Sequence, residues 1–229
     1  MLAAGRERTQ QADRALATLC QLYWHPLYTY VRKRGYSPHD AEDLTQEFFA
    51  RILARNDVAT VSRERGKFRS YLLAAINHFL SDEWDKARAQ KRGGGRVIHL
   101  DSAVAESLYA QEHADGLTPE RLFDQRWAIT VLEEVYRQLR QEYQRAGKAA
   151  LFETLRFALM GERSAVPYAR LAVQMNLTEA AIKVAVHRLR KRYRQVLSEL
   201  VAGTVSSPDE VDEEMRYLLR ALSDAASWL

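Results

Sequence analysis

Apolar residues recur at helical spacing along most of the chain, and runs of β-branched alternation are few. The pattern predicts an all-α protein. Phe68, Leu72, Ile76 and Phe79 mark one buried stripe, and Ala41, Leu44, Phe48 and Ile52 mark another, which leaves Asp43, Gln46, Glu47 and Arg51 pointing outward. Ile182, Val186, Leu189, Tyr193 and Val196 recur at 4, 3, 4, 3 spacing, with Lys183, His187, Arg190 and Arg194 one position behind as a parallel basic stripe. Val211, Met215, Leu218, Leu219 and Leu222 give a short amphipathic helix near the carboxyl end, with Asp212, Glu213 and Glu214 at its start.

Punctuation divides these helices into modules. Gly93-Gly94-Gly95 ends a first helical module over 13–92, because three glycines cannot hold a helix against their backbone entropy. A linker of weak periodicity follows over 93–118, with Asp115-Gly116 and Thr118-Pro119 as turn and cap signals. A second helical module spans 119–197, and an acidic extension occupies 198–229, where Ser206-Ser207-Pro208-Asp209 reads as a break and a new helix start. Ser37-Pro38-His39-Asp40 opens a helix in the first module as a capping-box variant.

Composition narrows the function classes. With 229 residues, 47% hydrophobic and 28% charged, the chain can bury one large or two small cores. Net charge is only +4, so nucleic-acid binding has to come from local clusters, and these exist around Lys86 to Arg96 and Arg188 to Arg194. A single cysteine, Cys20, excludes an intramolecular disulfide and a thiolate metal cluster. The apolar runs fall short of the ~20 residues needed to span a bilayer, and no secretory signal precedes them, so a cytoplasmic setting without membrane is expected. Six histidines coexist with many carboxylates. No His-Glu-x-x-His, Gly-x-Ser-x-Gly or phosphate-binding loop is present, so neither catalysis, a metal nor a cofactor is expected.

Chemistry concentrates in two places. Pro167 to Thr178 followed by a cationic helix reads as a helix-turn-helix, with Pro167 at a first helical position, Asn176 in the left-handed turn and Thr178 as N-cap. An amphipathic hairpin with a solvated basic side would share this pattern, and the rest of the chain has to separate the two. The stretch from Lys67 to Arg92 mixes aromatic and basic residues, a combination that can stack unpaired bases and hold a backbone at ~1–3 kcal/mol per stacked base.

Taken in order, Leu22-Tyr23-Trp24-His25-Pro26-Leu27-Tyr28, Asp40-Ala41-Glu42-Asp43-Leu44-Thr45-Gln46-Glu47-Phe48-Phe49 and Phe68-Arg69-Ser70-Tyr71-Leu72 resemble region 2 of bacterial sigma factors. Ala181 to Arg192 resembles the recognition helix of region 4 in the extracytoplasmic-function group. The resemblance implies a non-catalytic subunit that binds core RNA polymerase, directs it to promoters and helps open the DNA, in the cytoplasm at the nucleoid. It implies that Asp43, Gln46 and Glu47 meet the polymerase. It further implies that Lys67, Arg69, Tyr71, His78, Trp84, Lys86, Arg88, Lys91 and Arg92 hold the melted minus-ten strand. Thr178, Glu179, Lys183, Val184, His187, Arg188, Arg190 and Lys191 would then read duplex DNA at the minus-thirty-five element.

An anti-sigma or other regulatory partner is compatible with this reading. Asn77-His78 stands where the family commonly has Arg-Asn, and the acidic extension exceeds the two-module form. That extension is expected to fold back on a basic surface of region 4. Two alternatives compete: a conventional helix-turn-helix regulator acting without polymerase, and a metal-dependent nuclease built on Asp40, Asp43 and nearby histidines.

Overall fold

The computed structural model describes residues 18, 20–54, 67–89, 116–159 and 167–226, with the backbone alone described at 86–89 and 224–226. Among them the regular structure is helical, as the periodicity predicts. The glycine triplet, the linker up to Asp115, and the candidates Lys91 and Arg92 lie outside the described residues. The chain forms two compact units, residues 1–130 with 204–229 and residues 131–203.

In the first unit, α1 covers 20–33, α2 Pro38–Ala54 and α3 Phe68–Ala89. The start of α2 is capped as the sequence predicts: the Asp40 backbone N–H donates to Ser37 Oγ at 3.1 Å, and that hydroxyl donates to the Asp40 carboxylate at 2.6 Å. Tyr23 of α1 meets Phe68 of α3 edge to face with centroids 5.3 Å apart, and Phe48 of α2 lies 5.7 Å from Phe79. All four predicted apolar positions of α3 are buried.

The buried face of α2 differs from the expected stripe. Leu44 is half-buried, while Glu42, Thr45 and Phe49 are buried beside Ala41, Phe48 and Ile52. Phe49 is drawn in by stacking on Trp24 at 5.8 Å, and Thr45 is tolerated because its hydroxyl donates to the Ala41 carbonyl at 2.6 Å. Cys20 is half-buried, and burial pushes its thiol pKa up.

Helix α4, Pro119–Arg145, supplies its first turns to this unit and the remainder to the second. Leu122, Phe123 and Trp127 are buried, with Phe123 stacked on Tyr23 at 6.5 Å and edge-on to Tyr30 at 6.4 Å. The compact units part at 130/131 and 203/204. Aromatic contact with α1, which periodicity within α4 does not reveal, sets the division.

The second unit continues α4 and adds α5, Ala149–Leu155, a 3-10 turn at Arg156–Ala158, α6, Tyr168–Met175, and α7, Glu179–Ala202. Phe152 of α5 is fully buried between Tyr136 and Tyr143, at 5.2 and 5.4 Å. After α7 the chain returns to the first unit through Thr204, whose carbonyl accepts from the Phe68 backbone N–H at 3.0 Å.

The extension then forms a 3-10 turn, Pro208–Glu210, opened by a Ser207–Glu210 capping box, and α8, Val211–Ala226. Its contacts correct the expectation that it rests on region 4. The Glu213 and Glu214 carboxylates meet Lys67, just before α3, and Arg69 of α3 at 2.7 and 2.6 Å. The expected apolar stripe is also narrower: Leu218 is fully buried, while Leu219 is 60% exposed. Charge pairing turns Glu214 inward and rotates Leu219 out. Urea unfolding should therefore show Leu218→Ala costing about 2–5 kcal/mol, as a truncated core leucine does, while Leu219→Ala stays within about 0.5 kcal/mol of the parent.

Candidate nucleic-acid interface

The helix-turn-helix lies in the second unit and is built by local chemistry. Pro167 (φ −55°, ψ 143°) sits at the cap, one residue before the first-turn position expected of it, and α6 starts at Tyr168. Asn176 ends α6 at φ +52°, a left-handed residue that its short polar side chain tolerates. Thr178 caps α7, its hydroxyl accepting from the Ala181 backbone N–H at 3.1 Å. Leu171, Ala172, Ile182, Val186 and Leu189 are buried, whereas Tyr193 of the expected stripe is half-buried.

The opposite side of α7 is cationic, and its charges divide into two kinds. Lys183, Val184, His187, Arg188 and Lys191 are exposed. Lys183 also pairs with Glu179 one turn back at 2.7 Å, and that bond raises its pKa. Arg190, placed by sequence among the groups facing DNA, is exposed as well, and its Nε donates to the Ala158 carbonyl at 2.9 Å, which ties α7 to the 3-10 turn. Arg192 grips Glu142 with two bonds of 2.6 and 3.0 Å and so fastens α7 to α4. Tyr168, which the spacing did not single out, borders a cleft of about 610 Å³ with Lys183, Val186, His187, Arg190, Lys191 and Arg194. The signal available for it was an aromatic side chain directly after the proline cap.

In the first unit the candidates of α3 differ in exposure. Trp84 is 54% exposed and borders a hollow of about 540 Å³ with Arg34, Gly35, Tyr36, Leu80, Ser81 and Asp85. His78 is exposed, and Tyr71 is half-buried against Phe68 at 6.0 Å. Lys86 and Arg88 lie on the last turns of α3, where the backbone alone is described. Asn77 is enlisted in packing: it accepts from the Tyr30 hydroxyl at 2.8 Å and from Arg34 at 3.2 Å.

Lys67 and Arg69 differ from the open cations expected of them. Lys67 is bound to Glu213 at 2.7 Å, with Glu214 at 3.6 Å. The Arg69 side chain is 8% exposed, donates to Glu214 and to Asp124 at 3.3 Å, and lies 3.6 Å from the centroid of the Tyr217 ring. Burial raises the pKa of Asp124, which accepts a hydrogen bond from the Tyr217 hydroxyl. Burial and that carboxylate together push the Tyr217 hydroxyl up to about 12.

The acidic candidates of α2 share one side of the helix but are each engaged within it. Asp43 pairs with His39 at 3.1 Å, half-buried Gln46 donates to Glu42 at 3.5 Å, and exposed Glu47 is paired with Arg51, which also reaches Glu83. No group of metal-binding side chains occurs among the described residues.

Two measurements test how α7 is held. Thr178→Ala should lower unfolding stability by about 0.5–2 kcal/mol through loss of the cap. Hydrogen bonds from Arg192 hold the Glu142 carboxyl below its usual range. Its contribution to stability is therefore present above the ordinary carboxylate value and lost as pH falls through the lowered one. Both side chains are more than a third exposed (36% and 39%), so Arg192→Gln should cost at most about 1 kcal/mol at neutral pH. That difference should vanish in acid, and one that persists there would assign the effect to packing.

Comparison with known proteins fits this arrangement. Residues 19–90, which span α1 to α3, match the family described as Sigma-70 region 2. The chain is similar to the ECF RNA polymerase sigma factor SigW of Bacillus subtilis (strain 168), at 23% identity over 190 residues, covering 81% of this chain and 90% of that protein. No solved structure matches significantly. Residues 19–90 therefore carry a Sigma-70 region 2 match over the first three helices, and the chain is similar along most of its length to an extracytoplasmic-function sigma factor.

Proposed function

We propose that this chain is a promoter-specificity subunit that docks on core RNA polymerase through α2, holds the melted minus-ten strand along α3, and reads the minus-thirty-five duplex with α7. The observation that carries the reading is the make-up of α7. Its inner stripe is buried, its start is capped by Thr178, and Lys183, Val184, His187, Arg188 and Lys191 are left facing outward. A helix of this kind places its amino-terminal residues against base edges and its cations against phosphates. Glu179 and Lys183 neutralise one another in the free protein. On DNA, Lys183 can exchange that partner for a guanine edge or a phosphate.

Trp84 beside Arg34 and Tyr36 supports the single-strand assignment, since an exposed aromatic next to a cation suits an unpaired base. On α2, Glu47 is exposed though paired with Arg51, with Asp43 half-buried on the same side, and such a face sets the rate and orientation of docking on a basic surface. Polymerase places this activity in the cytoplasm, at the nucleoid. Among the described residues no helix is long and apolar enough to cross a membrane.

Run-off transcription from genomic fragments, with core polymerase in the presence and absence of the protein, tests the reading. New discrete transcripts are expected, and intact duplex binding without transcripts would point to a conventional regulator. Lys183→Ala and Arg188→Ala should each weaken promoter binding by about 1–3 kcal/mol, with relaxed sequence preference if the side chain meets a base. A contact to phosphate would instead give a uniform loss and a shallower salt dependence, and unchanged affinity in both variants would remove α7 from the DNA.

A further inference from the structure

We propose that α8 is a built-in occupant of the nucleic-acid face at the start of α3, held there by the groups a melted strand would use and displaced when the strand arrives. The proposal rests on the reading of α3 as a single-strand face and adds its regulation. Lys67 and Arg69 begin that face, and α8 covers both.

The match is chemical. A single strand offers anionic phosphates and flat bases, which cations and aromatic or guanidinium planes take up. Helix α8 offers the Glu213 and Glu214 carboxylates to Lys67 and Arg69 at 2.7 and 2.6 Å, and lays the Tyr217 ring 3.6 Å from the Arg69 guanidinium. Carboxylates stand where phosphates would, and a phenol ring stands where a base would.

The way α8 is fastened suits release. A helix kept for stability alone buries its apolar stripe. Here Leu218 is fully buried, Val211, Met215 and Leu222 are half-buried, and Leu219 is 60% exposed. The deepest polar contacts are ionic, and buried ion pairs contribute specificity more dependably than net stability. A polyanion competes directly for such contacts, as it would not for an apolar stripe. The capping box at Ser207 and Glu210 gives α8 a defined beginning three residues after Thr204, so it can leave as a unit.

Hydrogen exchange of the full chain, with and without a fluorescein-labelled single-stranded DNA oligonucleotide, reads displacement directly. Amides over 211–226 should lose protection when the oligonucleotide binds. The double variant Glu213→Gln, Glu214→Gln should bind the same oligonucleotide about tenfold or more tightly, the change that about 1.4 kcal/mol of lost competition gives. Should that variant not fold, Glu213→Gln alone removes a carboxylate whose side chain is 58% exposed and should still tighten binding by a smaller factor.

Unchanged or increased protection of 211–226 in the complex, with no gain in the variants, overturns the proposal. If binding then still depends on Trp84, tested by Trp84→Ala, the single-strand reading of α3 stands and only the displaceable helix falls. No binding by the parent or any α8 variant overturns both.

Discussion

The buried Arg69 guanidinium is the constraint on which the first unit depends. A cation taken out of water is costly unless hydrogen-bonded and paired, and Arg69 is 7% exposed. Its partners come from two other helices: Glu214 and the ring of Tyr217 from α8, and Asp124 from α4, with Trp127 of α4 5.6 Å away. Burial alone would lower the Arg69 pKa, and its bonds to Glu214 reverse that, so the charge stays in place. Without Glu214 the guanidinium keeps Asp124 as its carboxylate partner, and without the guanidinium Glu214 keeps Lys67 and Asp124 keeps the Tyr217 hydroxyl. Burying the charge obliges segments up to 145 residues apart in sequence to meet.

That obligation explains the chain's path. The first turns of α4 are drawn into the first unit by Phe123 and Trp127, and α8 by Glu214 and Leu218, so residues 131–203 are an insertion between two parts of one core. Within the insertion the basic residues of α7 are sorted by whether an acceptor lies beside them. Arg190 and Arg192 find a carbonyl and a carboxylate and act as braces. Arg188 and Lys191, a turn or less away, are exposed, as is Arg190. One basic run thus serves both to hold the helix and to present it.

Much of this was legible in the residues. Thr178, Asn176 and Ser37 announce their own roles because a cap or a left-handed turn depends on a few neighbouring atoms. The stripe of α3 was equally plain. Where a distant side chain settled the matter, spacing misjudged the burial of Leu44 and Leu219, and it did not reveal the Arg190 bond to Ala158 or the carboxylates that cover Lys67 and Arg69.

What the sequence determined by itself was therefore the helical class, the helix starts and turns, the helix-turn-helix and the resemblance to region 2, all set by interactions between residues a few positions apart. Only the tertiary structure decided where α8 rests, to which unit the start of α4 belongs and which cations are covered. Those outcomes depend on pairing buried charges and filling an aromatic core, and both are satisfied by partners that spacing along a chain cannot reveal.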